Sequence, residues 1–244
     1  MSTDDVLIVG GGLAGLSAAI FTARAGLTTR VLSDGESILA RNAHLENFPG
    51  FPAGINPRLL LEMTRSQAEN AGTTLTDGRV ESVDHGEHDV DGFVTRTKNG
   101  EAFAARRVIA ASWSDTAYLD PLDFDLIDRG SKSFIDVDST GHTSVPGVYA
   151  AGRLAEQYHQ AVVAAGHGAQ VGLTVIEDSD VPFYHDWVVP EGYFTGRDRD
   201  VPPGCAEIDE TERQRREAAS LETMREYVAE PHPGEPTMHP SVEQ

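Results

Sequence analysis

Cysteine is scarce in this sequence: the 244 residues contain one, Cys205. A single cysteine excludes an intramolecular disulfide, a CxxC redox pair and a thiolate-rich zinc site within the chain. Three histidines near the C-terminus, His185, His232 and His239, match no spacing of metal ligands. We therefore predict neither dithiol chemistry nor a metal site.

Lysine is nearly as rare, with Lys98 and Lys132 as its two copies, and 39 acidic against 19 basic residues leave a formal charge of −20. A surface of this charge repels nucleic acid and anionic lipid, so neither is an expected partner. It is also typical of salt-loving organisms, in which salt screens the repulsion between carboxylates. We favour a halophilic, haloarchaeal protein over an acidic mesophilic one.

Long hydrophobic runs are missing as well. No apolar run approaches the roughly 18 residues that a membrane-spanning helix needs. The N-terminus (MSTDDV) is acidic ahead of its first apolar run, unlike a secretory signal. These two absences predict a soluble, cytoplasmic protein.

A glycine motif follows the first predicted strand. Residues 5–9 (DVLIV) predict a buried strand, and Gly10, Gly12 and Gly15 then form G-x-G-x-x-G at the start of an apolar helix. The first glycine turns the chain, the second lets the backbone approach a pyrophosphate, and the third lets helix and strand pack closely. The motif in this context predicts dinucleotide binding.

The next predicted strand, residues 28–33, completes a βαβ unit and is followed by Asp34. Asp34 lies about 20 residues after the motif, where an acid that binds the adenosine ribose is expected. Alternatively, it begins an Asp-Gly turn with Gly35.

The rest of the chain predicts a mostly parallel sheet with helices on both faces and a smaller antiparallel layer. The further predicted elements are a helix over 57–70, antiparallel strands over 73–83 and 89–97, strands at 106–112, 134–138 and 147–152, and helices over 155–178 and 207–230. We divide the chain into a dinucleotide-binding domain, 1–178, and a C-terminal extension, 179–244, with an aromatic and Pro-rich segment, an amphipathic helix and an extended tail.

Two further motifs carry a resemblance. Residues 143–172 begin TSVPGVYAAGR and continue into a helix rich in glycine and alanine, and residues 46–50 spell ENFPG. With the glycine motif, and in the same order and spacing, they resemble the thioredoxin-reductase-like group of FAD-dependent pyridine nucleotide-disulphide oxidoreductases over roughly residues 4–178.

The resemblance implies that FAD is the cofactor and places several residues on it. It puts Asn47 near the isoalloxazine and Gly152 in the late A-A-G segment. It also implies that the helix beginning at Gln160 and Ala161 points its N-terminus at the flavin N1 and O2 edge. The positive end of a helix dipole there would stabilise reduced flavin.

The sequence departs from this family in two ways. The family's nicotinamide domain lies after the strand at 106–112, where only residues 113–131 are available, fewer than the roughly 30 of a βαβ unit. In addition, the late-motif Asp is Arg153, which cannot accept a hydrogen bond and is expected to reach the pyrophosphate instead. Ser112 replaces a glycine, and Ser37-Ile38 replaces G-G-Q. These changes indicate either altered flavin binding, which the retained glycines favour, or its loss.

We therefore predict a single-domain FAD-dependent oxidoreductase with a small-molecule substrate or redox partner protein, assembled as a homodimer. The candidate catalytic residue is His159, expected to donate a proton or hydrogen bond to reduced flavin, or to be a histidine on a helix's first turn without a task. The alternative is a non-catalytic or degenerate dinucleotide-binding module that acts through assembly. A third possibility is a reductase subunit whose nicotinamide domain is a separate chain.

Overall fold

The computed structural model describes residues 2–86, 91–130, 132–239 and 241–242. Its strands are β1 (Thr3–Val9), β2 (Thr29–Ser33), β3 (Thr74–Asp77), β4 (Val80–His85), β5 (Phe93–Thr97), β6 (Ala102–Ala110), β7 (Leu126–Asp128), β8 (Ser133–Ile135), β9 (Val148–Ala150), β10 (Trp187–Pro190) and β11 (Cys205–Ile208). Its α-helices are α1 (Leu13–Arg24), α2 (Pro57–Asn70), α3 (Ala161–Glu177) and α4 (Glu210–Val228).

Seven strands form the central sheet in the order β3-β2-β1-β6-β5-β4, with β9 beside β6. The pairs β1–β2, β2–β3, β1–β6 and β6–β9 are parallel, whereas β4, β5 and β6 form an antiparallel meander. The first half of β6 therefore pairs with β5 and its second half with β9. The predicted α/β class, a Rossmann-like sheet with a smaller antiparallel layer, is confirmed.

One predicted strand was wrong. Residues 73–83 form two strands, because Gly78 ends the first of them and its N–H donates to the Ser33 carbonyl. β3 pairs in parallel with β2, and β4 turns back to pair with β5. Residues 89 and 90 of the neighbouring predicted strand lie outside the described residues.

The two faces of the sheet are covered differently. Val6 and Ile8 of β1 pack with residues of α1 and α3, whereas Leu7 and Val9 face a cluster that contains the 3-10 helix at Ala117–Leu122. Helices on both faces were expected, but α1 and α3 lie together on one. They approach closely because Gly168 has no side chain. A Cβ there would lie 2.0 Å from the Ala14 carbonyl oxygen.

The C-terminal segment contains structure that the sequence did not predict. β10 and β11 form a small parallel sheet, and the Glu207 carboxylate accepts hydrogen bonds from the 192–195 turn. These bonds lower the pKa of Glu207 to about 2, the largest contribution coming from the Thr195 hydroxyl. α4 has no buried residue, although the Tyr227 hydroxyl lies 2.6 Å from Ser66 of α2. Among the described helices, none is long and apolar enough to cross a membrane.

A histidine–carboxylate cluster joins the loop before β9 to the end of α3. His142 Nε2 lies 2.7 Å from Asp178 Oδ2, and its Nδ1 lies 3.1 Å from Asp138 Oδ2. The Tyr149 hydroxyl donates to the same Asp178 oxygen. Partial burial lowers the pKa of His142, but the hydrogen bonds and charges of Asp178 and Asp138 outweigh it and the pKa is raised.

We expect the stabilisation from His142 to depend on pH. Because its pKa is higher in the folded than in the unfolded protein, the contribution is complete below about pH 6.5 and is lost as the pH rises through the folded value. The difference in unfolding free energy between the natural protein and His142→Gln should therefore be largest at or below about pH 6.5 and shrink as the pH rises above it. Urea unfolding at fixed KCl concentration measures it.

Tyr149→Phe is the matched control for this cluster. It removes a hydrogen bond to Asp178, and burial raises the pKa of Tyr149 further above its ordinary value, so Tyr149 does not titrate in this range. Its destabilisation should be nearly constant with pH. A His142→Gln difference equally constant with pH would contradict the assignment.

Candidate functional site

An open cleft of about 680 Å³ lies at the carboxyl ends of β1, β2 and β6. Its walls are the glycine turn, the segment after β2, residues 44–47, the loop after β6 and residues 158–161. The chain reverses the order of its strands at β1, and ligands of open α/β sheets bind at such a point. The volume is in the range of natural ligand sites.

The three positions of the motif are occupied by glycine for different structural reasons. Gly10 has φ = +121°, and a Cβ on it would lie 2.4 Å from the Ala111 carbonyl oxygen. A Cβ on Gly15 would lie 2.0 Å from the Gly10 carbonyl oxygen. At Gly12, by contrast, the nearest atom to such a Cβ is Ser37 Oγ at 3.4 Å. Gly10 and Gly15 are therefore required by the fold, whereas Gly12 leaves space that faces the cleft.

Two helices begin in this cleft. Gly12 is the N-cap of α1 and Gln160 the N-cap of α3, and both have extended backbone. Gly12 has no side chain to cap α1, and within the described chain the Gln160 side chain makes no capping hydrogen bond to α3. Neither first turn contains an acidic residue. The first N–H groups of both helices are thus available to a ligand, and the helix dipoles favour an anionic one.

The structure brings two predicted residues together across 113 positions of sequence. Asn47 Nδ2 donates a 2.8 Å hydrogen bond to Gln160 Oε1, which joins the ENFPG loop to the start of α3. Asp34 lines another part of the same cleft, 3.8 Å from Arg79 Nη1, and Arg79 also lies 3.5 Å from Asp115. Arg79 therefore links the segments that follow β2 and β6.

Gly152 and Arg153 begin a 3-10 helix, Gly152–Ala155, beside the cleft. The Gly152 N–H donates to His167 Nδ1 at 3.0 Å, and burial lowers the pKa of His167, so this ring is a neutral acceptor. The Arg153 guanidinium stacks 4.6 Å from the Phe134 ring centroid and donates to the Gln157 carbonyl at 2.9 Å. These contacts hold Arg153 at the cleft wall.

His159 lies at the cleft rim, immediately before the N-cap of α3, and not on the first turn of a helix. The helix expected over 155–178 begins at Ala161, because a 3-10 turn and a bend occupy the residues before it. The pKa of His159 is lowered first by partial burial and then by the charges of Arg153 and Lys132. His159 is therefore uncharged at neutral pH, which suits a hydrogen-bond donor better than an acid.

Four cleft or cleft-supporting residues were missed as functional candidates: Trp113, Arg79, Tyr158 and His167. The ring centroids of Trp113 and His159 are 4.4 Å apart in an edge-on arrangement, and Tyr158 beside them is 81% exposed. A tryptophan directly after a predicted strand that leads to a nucleotide site was a usable signal. The contacts of Arg79 and His167 depend on tertiary folding, so the sequence contained no signal for these two residues.

Comparison with known proteins assigns the first half of the chain. Residues 4–123 match the family model described as "Pyridine nucleotide-disulphide oxidoreductase". This segment is similar to that family. The thioredoxin reductases of Rickettsia bellii and Aquifex aeolicus are 34% identical over 119 residues and 36% over 110. These matches cover 48% and 44% of this chain but 37% and 33% of those proteins, so the chain matches about a third of their length.

Solved structures support the same fold. A thioredoxin reductase from Gloeobacter violaceus aligns with a TM-score of 0.66 at 19% identity, over 73% of this chain and 96% of that one. The atypical thioredoxin reductase from Desulfovibrio vulgaris Hildenborough gives 0.59 at 21% identity. The predicted resemblance to the flavin domain of thioredoxin-reductase-like proteins is confirmed, and so, at the level of this family, is FAD as its cofactor.

The cleft suits this cofactor on structural grounds. Gly12 leaves space at the start of α1, and two helix N-termini open toward the same volume. An elongated dianion such as a dinucleotide pyrophosphate fits this combination. Asp34 lies at the end of β2, where the acceptor for a ribose hydroxyl belongs in such folds.

We expect Arg153→Met to raise the pKa of His159 toward its ordinary value, because it removes a nearby positive charge. An NMR titration of the imidazole in the full chain measures this. Arg197→Met is the control, since that guanidinium stacks on Tyr193 in the C-terminal segment, and it should leave the pKa unchanged. An unchanged pKa in Arg153→Met would mean that Arg153 does not act on His159.

Proposed function

We propose that the chain is a single-domain FAD-dependent oxidoreductase whose flavin exchanges electrons with an external donor. One observation carries the proposal: in its described residues, the connection from β6 to β9 contains no βαβ unit that could form a nicotinamide domain. In its described parts, 111–130 and 132–147, it forms a 3-10 helix and the hairpin β7–β8. Tyr118, Leu119 and Ile135 of this connection are buried in the core beneath the sheet. The internal donor site of two-domain relatives is replaced by core packing.

The proposal gives the cleft residues distinct tasks. The glycine turn receives the pyrophosphate, Asp34 the ribose, and the Asn47–Gln160 pair borders the isoalloxazine. The full proposed set is Gly10, Gly12, Gly15, Asp34, Asn47, Gly152, Arg153, Gln160 and Ala161. The hydrogen bond between Asn47 and Gln160 supports placing these two residues at one end of the ligand.

His159 has the role of hydrogen-bond donor in this proposal. Bound FAD supplies one- or two-electron chemistry, and reduction places negative charge on the flavin ring. The uncharged imidazole donates an N–H at the cleft rim, while the N-terminus of α3 contributes its dipole. Arg153 adds a positive charge on the same wall, which also favours the reduced state.

The remaining parts of the proposal concern the electron donor, the cellular environment, the oligomeric state and the domain boundary. The donor is a small molecule or a redox partner protein, and the protein is a cytoplasmic, halophilic homodimer. An exposed apolar row on α4, formed by Leu221, Met224 and Val228, supports pairing through the C-terminal extension. The division at residue 178 is supported by the end of α3 there and by the pairing of β10 with β11 outside the central sheet.

The visible absorption spectrum tests the cofactor. Protein purified in concentrated KCl should show flavin bands near one FAD per chain, and dithionite should bleach them. Colourless protein that stays colourless after excess FAD would overturn the proposal and favour the non-catalytic module. Copurification of a second chain that binds a nicotinamide cofactor would instead identify the external donor as a subunit.

The Gly12→Ala variant tests cofactor binding without disturbing the fold. An added Cβ meets Ser37 Oγ at 3.4 Å and leaves the backbone unstrained, so the melting temperature should hardly change. If the pyrophosphate approaches here, FAD binding should weaken by roughly 10-fold or more. Fluorescence titration of the apoprotein with FAD measures the change.

Gly166→Ala is the matched control, because Gly166 is exposed on α3 and a Cβ there meets nothing within 4 Å. It should stabilise the protein by about 0.5–1 kcal/mol and leave FAD affinity unchanged. Equal FAD affinity in Gly12→Ala and the natural protein would contradict the placement of the pyrophosphate.

A further inference from the structure

The loop between β6 and the 3-10 helix contains an unusual backbone conformation. Four described non-glycine residues have positive φ: Asp123, Glu156, Asp198 and Trp113. Trp113, with φ = +68°, is the bulky one. A bulky side chain is seldom found in this left-handed region, and it persists there when the surroundings impose it.

Hydrogen bonds on both sides of Trp113 impose this backbone conformation. Ser112 Oγ donates to the Asp115 carbonyl at 2.8 Å and lies 2.8 Å from the hydroxyl of the buried Tyr118. The Ala117 N–H donates to the Asp115 carboxylate at 3.2 Å. These bonds close the loop on both sides of Trp113 and attach it to the core. The strained conformation is therefore part of a defined loop.

The strain directs the indole to one neighbour. The ring centroids of Trp113 and His159 are 4.4 Å apart with an interplanar angle of 64°, and both residues line the cleft. His159 precedes α3 and is exposed, so a ring on one side restricts its orientation. An edge-on aromatic contact of this kind stabilises one relative orientation of the two rings.

We propose that Trp113 is a positioning residue that holds the His159 imidazole at the cleft rim. The consequence for the flavin rests on the proposed function, whereas the orientation of His159 does not. The charged groups that act on this imidazole are Arg153 and Lys132, and their repulsion favours the uncharged ring. Trp113 adds burial in the same direction and leaves an uncharged N–H donor facing the cleft.

Trp113→Leu and Trp113→Phe in the full apoprotein form the first test. Leucine keeps apolar bulk but removes the ring, so the His159 proton resonances should lose their ring-current shift and the pKa of His159 should rise toward its ordinary value. Phenylalanine should retain most of both effects. Resonances and pKa of His159 that are unchanged in Trp113→Leu would overturn the proposal.

A second measurement leaves Trp113 in place, in case its replacement prevents folding. The chain has two tryptophans, so Trp187→Phe makes Trp113 the single indole. Its fluorescence should be quenched as His159 becomes protonated, with a midpoint below that of an ordinary histidine. His159→Gln in this background should abolish the step. A step that survives His159→Gln would overturn the contact.

FAD binding then tests the link to function. Because Trp113 acts through His159, Trp113→Leu combined with His159→Gln should bind FAD no more weakly than His159→Gln alone. Additive losses would overturn the positioning role. Absence of FAD binding in the natural protein would remove the proposed function, while the two apoprotein measurements would still decide whether Trp113 positions His159.

Discussion

The close contact between the glycine turn and its neighbours is the constraint on which the site depends. The Gly10 carbonyl lies against Gly15 of α1, and Gly10 itself lies against the Ala111 carbonyl after β6. Side chains at either position would push α1 or β6 away from β1. Because the carboxyl ends of three strands meet there, the same contact that closes the core also creates the cleft. Cofactor geometry and fold stability are therefore set at one place, and Gly12 is the exception that serves the cleft alone.

The segment after β6 connects the cleft to the core. In this chain the connection returns to the core through Tyr118 and Leu119 after a few residues. The short path leaves Trp113 strained beside His159, where a longer connection would carry the chain away from the cleft. The position of the aromatic pair at the cleft thus follows from the path of this connection.

The sequence predicted the parts of the fold that local patterns determine. The glycine motif placed β1, α1 and the cleft, and the helix predicted over 57–70 matches α2. Fold class and cofactor family followed from these motifs. The single strand predicted over 73–83 was wrong, because period-two alternation does not show which neighbouring strand it pairs with and because Gly78 divides the segment into two strands. The β10–β11 sheet was missed because a four-residue strand gives little periodic signal.

The candidate site was predicted where a residue acts through backbone or position and missed where it acts through tertiary contact. Gly12 was proposed from the glycine motif and Gln160 from the family resemblance, whereas the support of Gly152 by His167 joins residues on different elements. Arg153 shows the limit clearly. Its lack of an acceptor is evident from the sequence, but its stacking on Phe134 and its effect on His159 need coordinates.

Electrostatics explain how a chain of charge −20 can still hold an anionic dinucleotide. The surface acids would raise the energy of any anion, and high salt screens this repulsion over distances beyond several ångströms. Within the cleft the charges are arranged differently. Asp34 and Asp115 both lie near Arg79, Arg153 also lines the cleft, and the first turns of α1 and α3 contain no acid in the described chain. Short-range donors in a partly enclosed site are screened far less than surface charges. A local site of this kind can therefore attract an anion despite the overall negative charge.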